Sequence, residues 1–228
     1  MIISSDNLTA LWADQKGSDL PFRILAIRAA LEAPGAANRE TVYDDLMILH
    51  DSREGTFTVW LASVDPSWPL IENPINPDGA AQLMPGVWMF ERGIHKENPA
   101  HPCLVQTEDF KVWRLNTDGT INTRVANGGI DTGDFGIHLH SGGPGQILGN
   151  GVAGMPLAST CNFSAGCQIV HNGDGYFCDP TWGKFIQPVY AKMAQYGQTQ
   201  VPYWLSDNTF APTGLEFTGL VLQNPVIP

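Results

Sequence analysis

Two short stretches hold the residue types that could do chemistry. The first, FGIHLHSGG over 135–143, carries His138 and His140 in alternation. The second, NFSAGCQIV over 162–170, carries Cys167 directly after the small-residue turn Ser164-Ala165-Gly166. A thiol and an imidazole, each at the end of a short apolar run, are the parts of a nucleophile and its base. The thiolate is the attacking species, and a cysteine with an ordinary pKa of about 8.5 needs an imidazole or an amide dipole beside it. Residues two apart in a strand face the same way, so His138 and His140 share a face and periodicity does not choose the base. Gly166 lets the backbone come close to a substrate carbonyl, and the turn can aim backbone N–H groups at a developing oxyanion. Read without a site, Cys167 is a small buried hydrophobe, as cysteines often are.

The same stretches resemble a known family. An apolar residue, a histidine and a small residue (Leu139, His140, Ser141), followed later by Ser-x-Gly-Cys (Ser164 to Cys167), is similar to the signature of L,D-transpeptidases, the YkuD-type fold. The resemblance covers residues 40–210 and points to a divergent branch common in phage and prophage genomes, through YDDLMIL (43–49), ENPINPDGAAQLMPGVW (72–88) and CLVQ (103–106). It implies Cys167 as nucleophile, His140 as base and the Ser141 carbonyl as the group that orients the imidazole. It implies Gly166 with Cys167 as the oxyanion turn, and it leaves His138, Ser164 and Gln168 as supporting residues. The sequence departs from the pattern in three places. Ala165 stands where the family has a second histidine, with His138 a candidate to replace it in space. Gln168 and Ile169 shift the polar position onto the other strand face, so the family's way of holding a substrate carboxylate does not carry over. The separation of His140 and Cys167 is longer than is usual, a length attributed to a glycine-rich lid over 141–163.

The implied activity is acyl transfer to an amine, or hydrolysis, on peptidoglycan stem peptides through a Cys167 thioester, with no cofactor and no metal. Similarity to phage proteins favours cleavage in a lytic or virion-associated role, with phage particle components as further partners. Two readings of other classes stand beside it. His138, His140 and a third ligand such as His171 could form a zinc peptidase centre, although their spacing is not a recognised ligand pattern. Loss of the histidine at Ala165 fits a catalytically inactive phage structural or wall-binding module.

Composition narrows the field. With 43% hydrophobic and 15% charged residues the chain is globular. Its 228 residues suit a loose N-terminal arm or edge segment over 1–20 and one catalytic domain over 21–228. A net charge of −11 argues against nucleic acid and anionic lipid as partners. No apolar run reaches the roughly 20 residues of a membrane span, so no membrane insertion is expected. The start, MIISSDNLTALWADQ, has early Asp6 and Asp14 and no basic segment. The expectation is therefore synthesis in the cytoplasm without a signal peptide, with action on the cell wall after lysis or within a virion. Cys103, Cys161, Cys167 and Cys178 form no metal pair; a Cys161–Cys178 disulfide stays open, though cytosolic synthesis disfavours it.

The elements that must position these residues read as a mainly β (α+β) fold. The expected form is an L,D-transpeptidase-like β-sandwich or mixed sheet with one principal C-terminal helix and long Pro/Gly-rich loops. Residues 21–33 could be a strand or a short helix, and the resemblance implies a strand over FRILAIR (22–28); 42–63 is a hairpin around the turn DSREG, with His50 a polar residue at its end. The proline-rich 65–86 is an irregular loop, with Trp60, Trp68 and Trp88 as either a groove wall or a rigid cover. Residues 88–106 are strand, turn and strand, with His95 and His101 as solvated loop histidines. Residues 109–120 are a strand and a turn, and Asp118-Gly119 lacks the later acidic positions of a calcium loop. Residues 179–197 form a helix, capped by Asp179 and stopped at Gly197, with Trp182, Phe185, Val189 and Met193 on one face. VPYWL (201–205) and LEFTGLVL (215–222) are closing strands.

Overall fold

The computed structural model describes residues 2–30, 42–95, 100–142, 147–150, 156–159, 164–171, 180–207 and 221–222, and the chain they form is mainly β. Strand β1 (Ile2–Ile3) leads into helix α1 (Ser5–Trp12). Strands β2 (Phe22–Arg28), β3 (Val42–Tyr43), β4 (Asp45–Asp51) and β5 (Thr56–Ser63) precede the short helix α2 (Trp68–Glu72). Then come β6 (Ala80–Leu83), β7 (Gly86–His95), β8 (His101–Gln106), β9 (Phe110–Leu115) and a single turn, α3 (Ala126–Gly129). Strands β10 (Ile130–Gly133), β11 (His138–Ser141), β12 (Ile147–Asn150), β13 (Pro156–Ser159) and β14 (Gln168–Val170) lead to helix α4 (Pro180–Gln195), β15 (Gln200–Asp207) and β16 (Val221–Leu222).

Eight strands close on themselves in the order β11-β14-β5-β4-β2-β15-β7-β8, and β8 bonds back to β11. The pairs β11–β14 and β2–β15 are parallel. Apolar alternation explains the closure. All eight strands feed one core, for example through Ile24, Met47, Leu104, Leu139, Val170 and Tyr203. The intervening residues Leu25, Ile27, Leu46 and Ile48 pack outward, so β2 and β4 are apolar on both faces and read as continuous hydrophobic runs. Helix α4 adds Phe185, Ile186, Val189 and Met193 to the main core. It ends as its sequence predicts: Gly197 takes φ +64°, and Gln198 and Gly197 donate to the carbonyls of Met193 and Ala194 at 2.8 and 3.2 Å.

A polar network is buried with this core. Arg28 donates to Asp65 (2.9 Å), Asp207 (3.3 Å) and the Leu83 carbonyl (2.8 Å), and Gln82 also donates to Asp65 (2.8 Å). Asp45 accepts the N–H of Ala29 (2.6 Å) and of Val64 (2.7 Å). Burial, then the nearby Asp44 and Asp65, push the Asp45 carboxyl well above the usual range.

Several expectations need correction. Residues 5–12 are not a loose arm. They form α1, whose N-cap Ser4 accepts the Asn7 N–H and whose Leu8 and Trp12 are fully buried against the outer face of the barrel. Trp12 meets Trp204 edge-on, with centroids 5.5 Å apart. The 65–86 segment contains α2 and β6 rather than irregular loop alone. Trp60 serves packing, edge-on to Phe185 at 5.4 Å, and Trp88 stacks obliquely on Phe110 at 5.0 Å. The described parts of 141–163 include the antiparallel pair β12–β13, joined to β3. The rest of the expected lid, the Cys161–Cys178 pairing, Asp179 and most of LEFTGLVL lie outside the described residues. Among the described residues, no helix is long and apolar enough to cross a membrane.

His50, expected as a hairpin-end polar residue, is fully buried under α1 with Nε2 3.1 Å from Ser5 Oγ. Burial, then the charge of Arg23, holds its pKa down to about 4 from an ordinary 6.5. A depressed imidazole pKa contributes stability above the unfolded value and loses it as pH falls toward the folded one. The melting temperature should therefore drop between pH 6.5 and pH 4, and drop less in His50→Gln. Trp12→Ala should cost about 3–5 kcal/mol in denaturant unfolding, whereas a loose arm would give no change.

Candidate functional site

The pairing of β11 with β14 assembles the site. Leu139 lies opposite Gln168, His140 opposite Ile169 and Ser141 opposite Val170. Extending that register by one residue puts His138 beside Cys167, and the His138 amide donates to Cys167 Sγ at 3.5 Å. Leu139 and Val170 point into the barrel core. Alternation therefore turns His138, His140 and Cys167 to the outside of the barrel wall.

The next two strands add to this face. β8 flanks β11, and β7 flanks β8 with His95 opposite His101 and Gly93 opposite Cys103. The His95 ring stacks on His140 with centroids 4.1 Å apart and planes at 27°. His101 lies 5.1 Å from His95 and 6.0 Å from His140, and His138 meets His95 edge-on at 5.1 Å. His95 and His101, expected as solvated loop residues, are thus half-buried and buried members of a four-imidazole cluster. Their only signal in the sequence was their placement at facing ends of one hairpin. Cys103, on the same face, is buried and inert: burial, then the neighbouring Cys167, pushes its thiol up to about 12.

Within the cluster, Cys167 Sγ and one ring nitrogen each of His95 and His140 all lie within 4.8 Å of one another. His140 Nδ1 lies 2.7 Å from the Ser141 carbonyl. A carbonyl only accepts, so Nδ1 carries the proton and Nε2 the lone pair. His140 is only 1% exposed. Burial, then His95, holds it well below the ordinary imidazole range, against the opposing pull of the Ser141 bond. It is therefore a neutral imidazole at neutral pH, with its lone pair on Nε2.

The turn before the thiol is fixed from several sides. Ser164 Oγ donates to the Cys167 carbonyl at 2.7 Å and accepts the Gly166 N–H at 3.2 Å. The Ser164 carbonyl accepts from Ser67 N–H and Oγ at 2.8 and 3.0 Å. Gly166 has φ +128°, and a Cβ there would overlap the Ala81 carbonyl oxygen, so the position demands glycine. The Gly166 N–H, expected to face an oxyanion, is here turned to Ser164 Oγ. Gln168 supports the site from inside the wall. It is fully buried, donates to the carbonyls of Val64 and Gly166 at 3.2 and 3.3 Å, and accepts the Tyr203 hydroxyl at 2.6 Å.

The zinc set considered from sequence is not gathered. His171 binds the Leu61 carbonyl through its N–H at 2.9 Å and sets its ring edge-on to Tyr43 at 5.0 Å, beyond the other end of β14. An open cleft of about 340 Å³ adjoins the turn, lined among others by Leu70, Ile75, Ala81, Arg114, Phe135 and Ala165. Ala165 is exposed. Arg114 is paired to Asp131 at 2.9 Å and lies over the Phe135 ring. Compared with known protein families, curated proteins and solved structures, the chain matches none.

The arrangement can do thiol chemistry with His140 as proton acceptor. Iodoacetamide labelling of Cys167 across pH tests the assignment of the base. His140→Ala should slow labelling at neutral pH, where the imidazole takes the thiol proton, and His138→Ala should leave it nearly unchanged. The opposite pattern would reverse the roles of the two histidines.

Proposed function

We propose that this chain performs cysteine-dependent acyl chemistry on peptidoglycan stem peptides, as an L,D-transpeptidase-like domain of the phage type working in the direction of hydrolysis. The observation that carries the reading is the approach of Cys167 Sγ to within 4.8 Å of an imidazole whose Nδ1–H is bound to the Ser141 carbonyl. The resemblance named for Leu139-His140-Ser141 and Ser164 to Cys167 assigns the same three groups, which supports the substrate class and the phage-type role.

In this mechanism Cys167 Sγ attacks the peptide carbonyl carbon as its proton passes to His140 Nε2. The tetrahedral oxyanion collapses, the C–N bond breaks, and the leaving amine takes the proton from His140. The thioester is then attacked by water, which gives a proton to His140. The C–S bond breaks, and the proton returns to the sulfur. An amine in place of water completes a transpeptidation by the same steps. The Ser141 carbonyl stabilises each imidazolium stage, since a positive ring donates more strongly to it. The cleft beside Ala165 takes the peptide on the acyl-donor side.

Mass spectrometry of defined muropeptides after incubation tests the reading. Wild-type protein should shorten stem peptides. Cys167→Ala should fold and abolish turnover, and His140→Ala should lower it by about 10²–10⁴. Cys103→Ala should retain activity. Chelation with EDTA should leave turnover intact. Unchanged muropeptides with retained wall binding would replace this reading with that of a non-catalytic wall-binding module.

A further inference from the structure

We propose that His95, His140 and Cys167 form a three-ligand site for a borderline-soft divalent cation of the zinc class, and that occupation of this site blocks the thiol chemistry. The binding claim stands on the donor geometry alone; only the blocking rests on the function proposed above.

The three donor atoms come from the end of β7, from β11 and from the turn before β14, and they already lie within 4.8 Å of one another. Tetrahedral zinc with bonds of about 2.0–2.3 Å holds its ligand atoms about 3.3–3.8 Å apart. Binding draws the three donor atoms together from separations of up to 4.8 Å. One thiolate and two imidazoles suit zinc, cobalt or copper rather than magnesium or calcium. The His140 Nδ1–H bound to the Ser141 carbonyl at 2.7 Å is the outer-shell bond that metal-ligating histidines make, and it leaves Nε2 for the ion. Three protein ligands leave a fourth position for water. The ion would occupy both the sulfur and the basic nitrogen, which is why acyl chemistry would stop.

The test uses Co²⁺ alone as a spectroscopic probe on the full chain, with Zn²⁺ as competitor. One Co²⁺ per chain should bind with a sulfur-to-cobalt charge-transfer band that Zn²⁺ removes. Cys167→Ser should lose the band while keeping the wild-type circular dichroism. His95→Ala should weaken Co²⁺ binding at least tenfold, with His95→Gln as a second variant should the alanine form fail to fold. Zn²⁺ should protect Cys167 from iodoacetamide, and EDTA should reverse the protection. Absence of the band, or a band unchanged in a folded His95 variant, overturns the site. A cobalt band without muropeptide turnover would sink the proposed function and leave the metal site standing; turnover without the band would do the reverse.

Discussion

Everything at the candidate site depends on one pair of parallel strands. β11 and β14 contribute only a few residues each, yet their register decides which side chains meet. Parallel neighbours cannot be joined by a tight turn; the chain must travel back before it can run in the same direction again. The long separation between His140 and Cys167 follows from this topology. A shift of one residue would turn the imidazoles into the hydrophobic core and Leu139 outward, at the cost of burying polar rings among apolar side chains.

That register is held from behind by buried polar contacts. Gln168 joins the Gly166 and Val64 carbonyls to the Tyr203 hydroxyl, and the Val64 N–H is held by Asp45. One residue further on, Asp65 is bound by Arg28 and Gln82. The turn bearing the thiol is thus backed by a buried charged network rather than by hydrocarbon alone. Such networks add little net stability but fix one arrangement among those an apolar core would tolerate, and the site needs fixed positions.

Much of the scaffold was legible because its signals are local. The hairpin at 45–63 turns where DSREG predicts, and Phe185, Val189 and Met193 of α4 share one buried face; for FRILAIR the residues alone left strand or short helix open, and it forms β2. The N-terminal helix was less legible because its apolar stretch, Leu8 to Trp12, is short and flanked by polar residues, Ser4 to Asn7 before it and Asp14 to Lys16 after it. At the site, alternation placed His138 and His140 on one face, but it could not say which ring approaches the sulfur. His95 and His101 were missed for a physical reason: their strands lie beside β11 only after the barrel closes, a non-local fact that no window of sequence contains. The inward role of Gln168 also needed Tyr203, which is distant in the chain.

The two faces of the wall have separate duties. Along β11 and β14 the inward Leu139 and Val170 belong to the hydrophobic core, while the outward His138 and His140 face the imidazole cluster. Substitutions at the half-buried 95 and 138 therefore vary the reactive face at less cost to folding than those at the buried 101 and 140, and the barrel becomes a chassis on which ligand sets can be exchanged. A randomised library confined to those positions would explore chemistry on a constant frame, with glycine kept at 166, where contact with the Ala81 carbonyl leaves no choice.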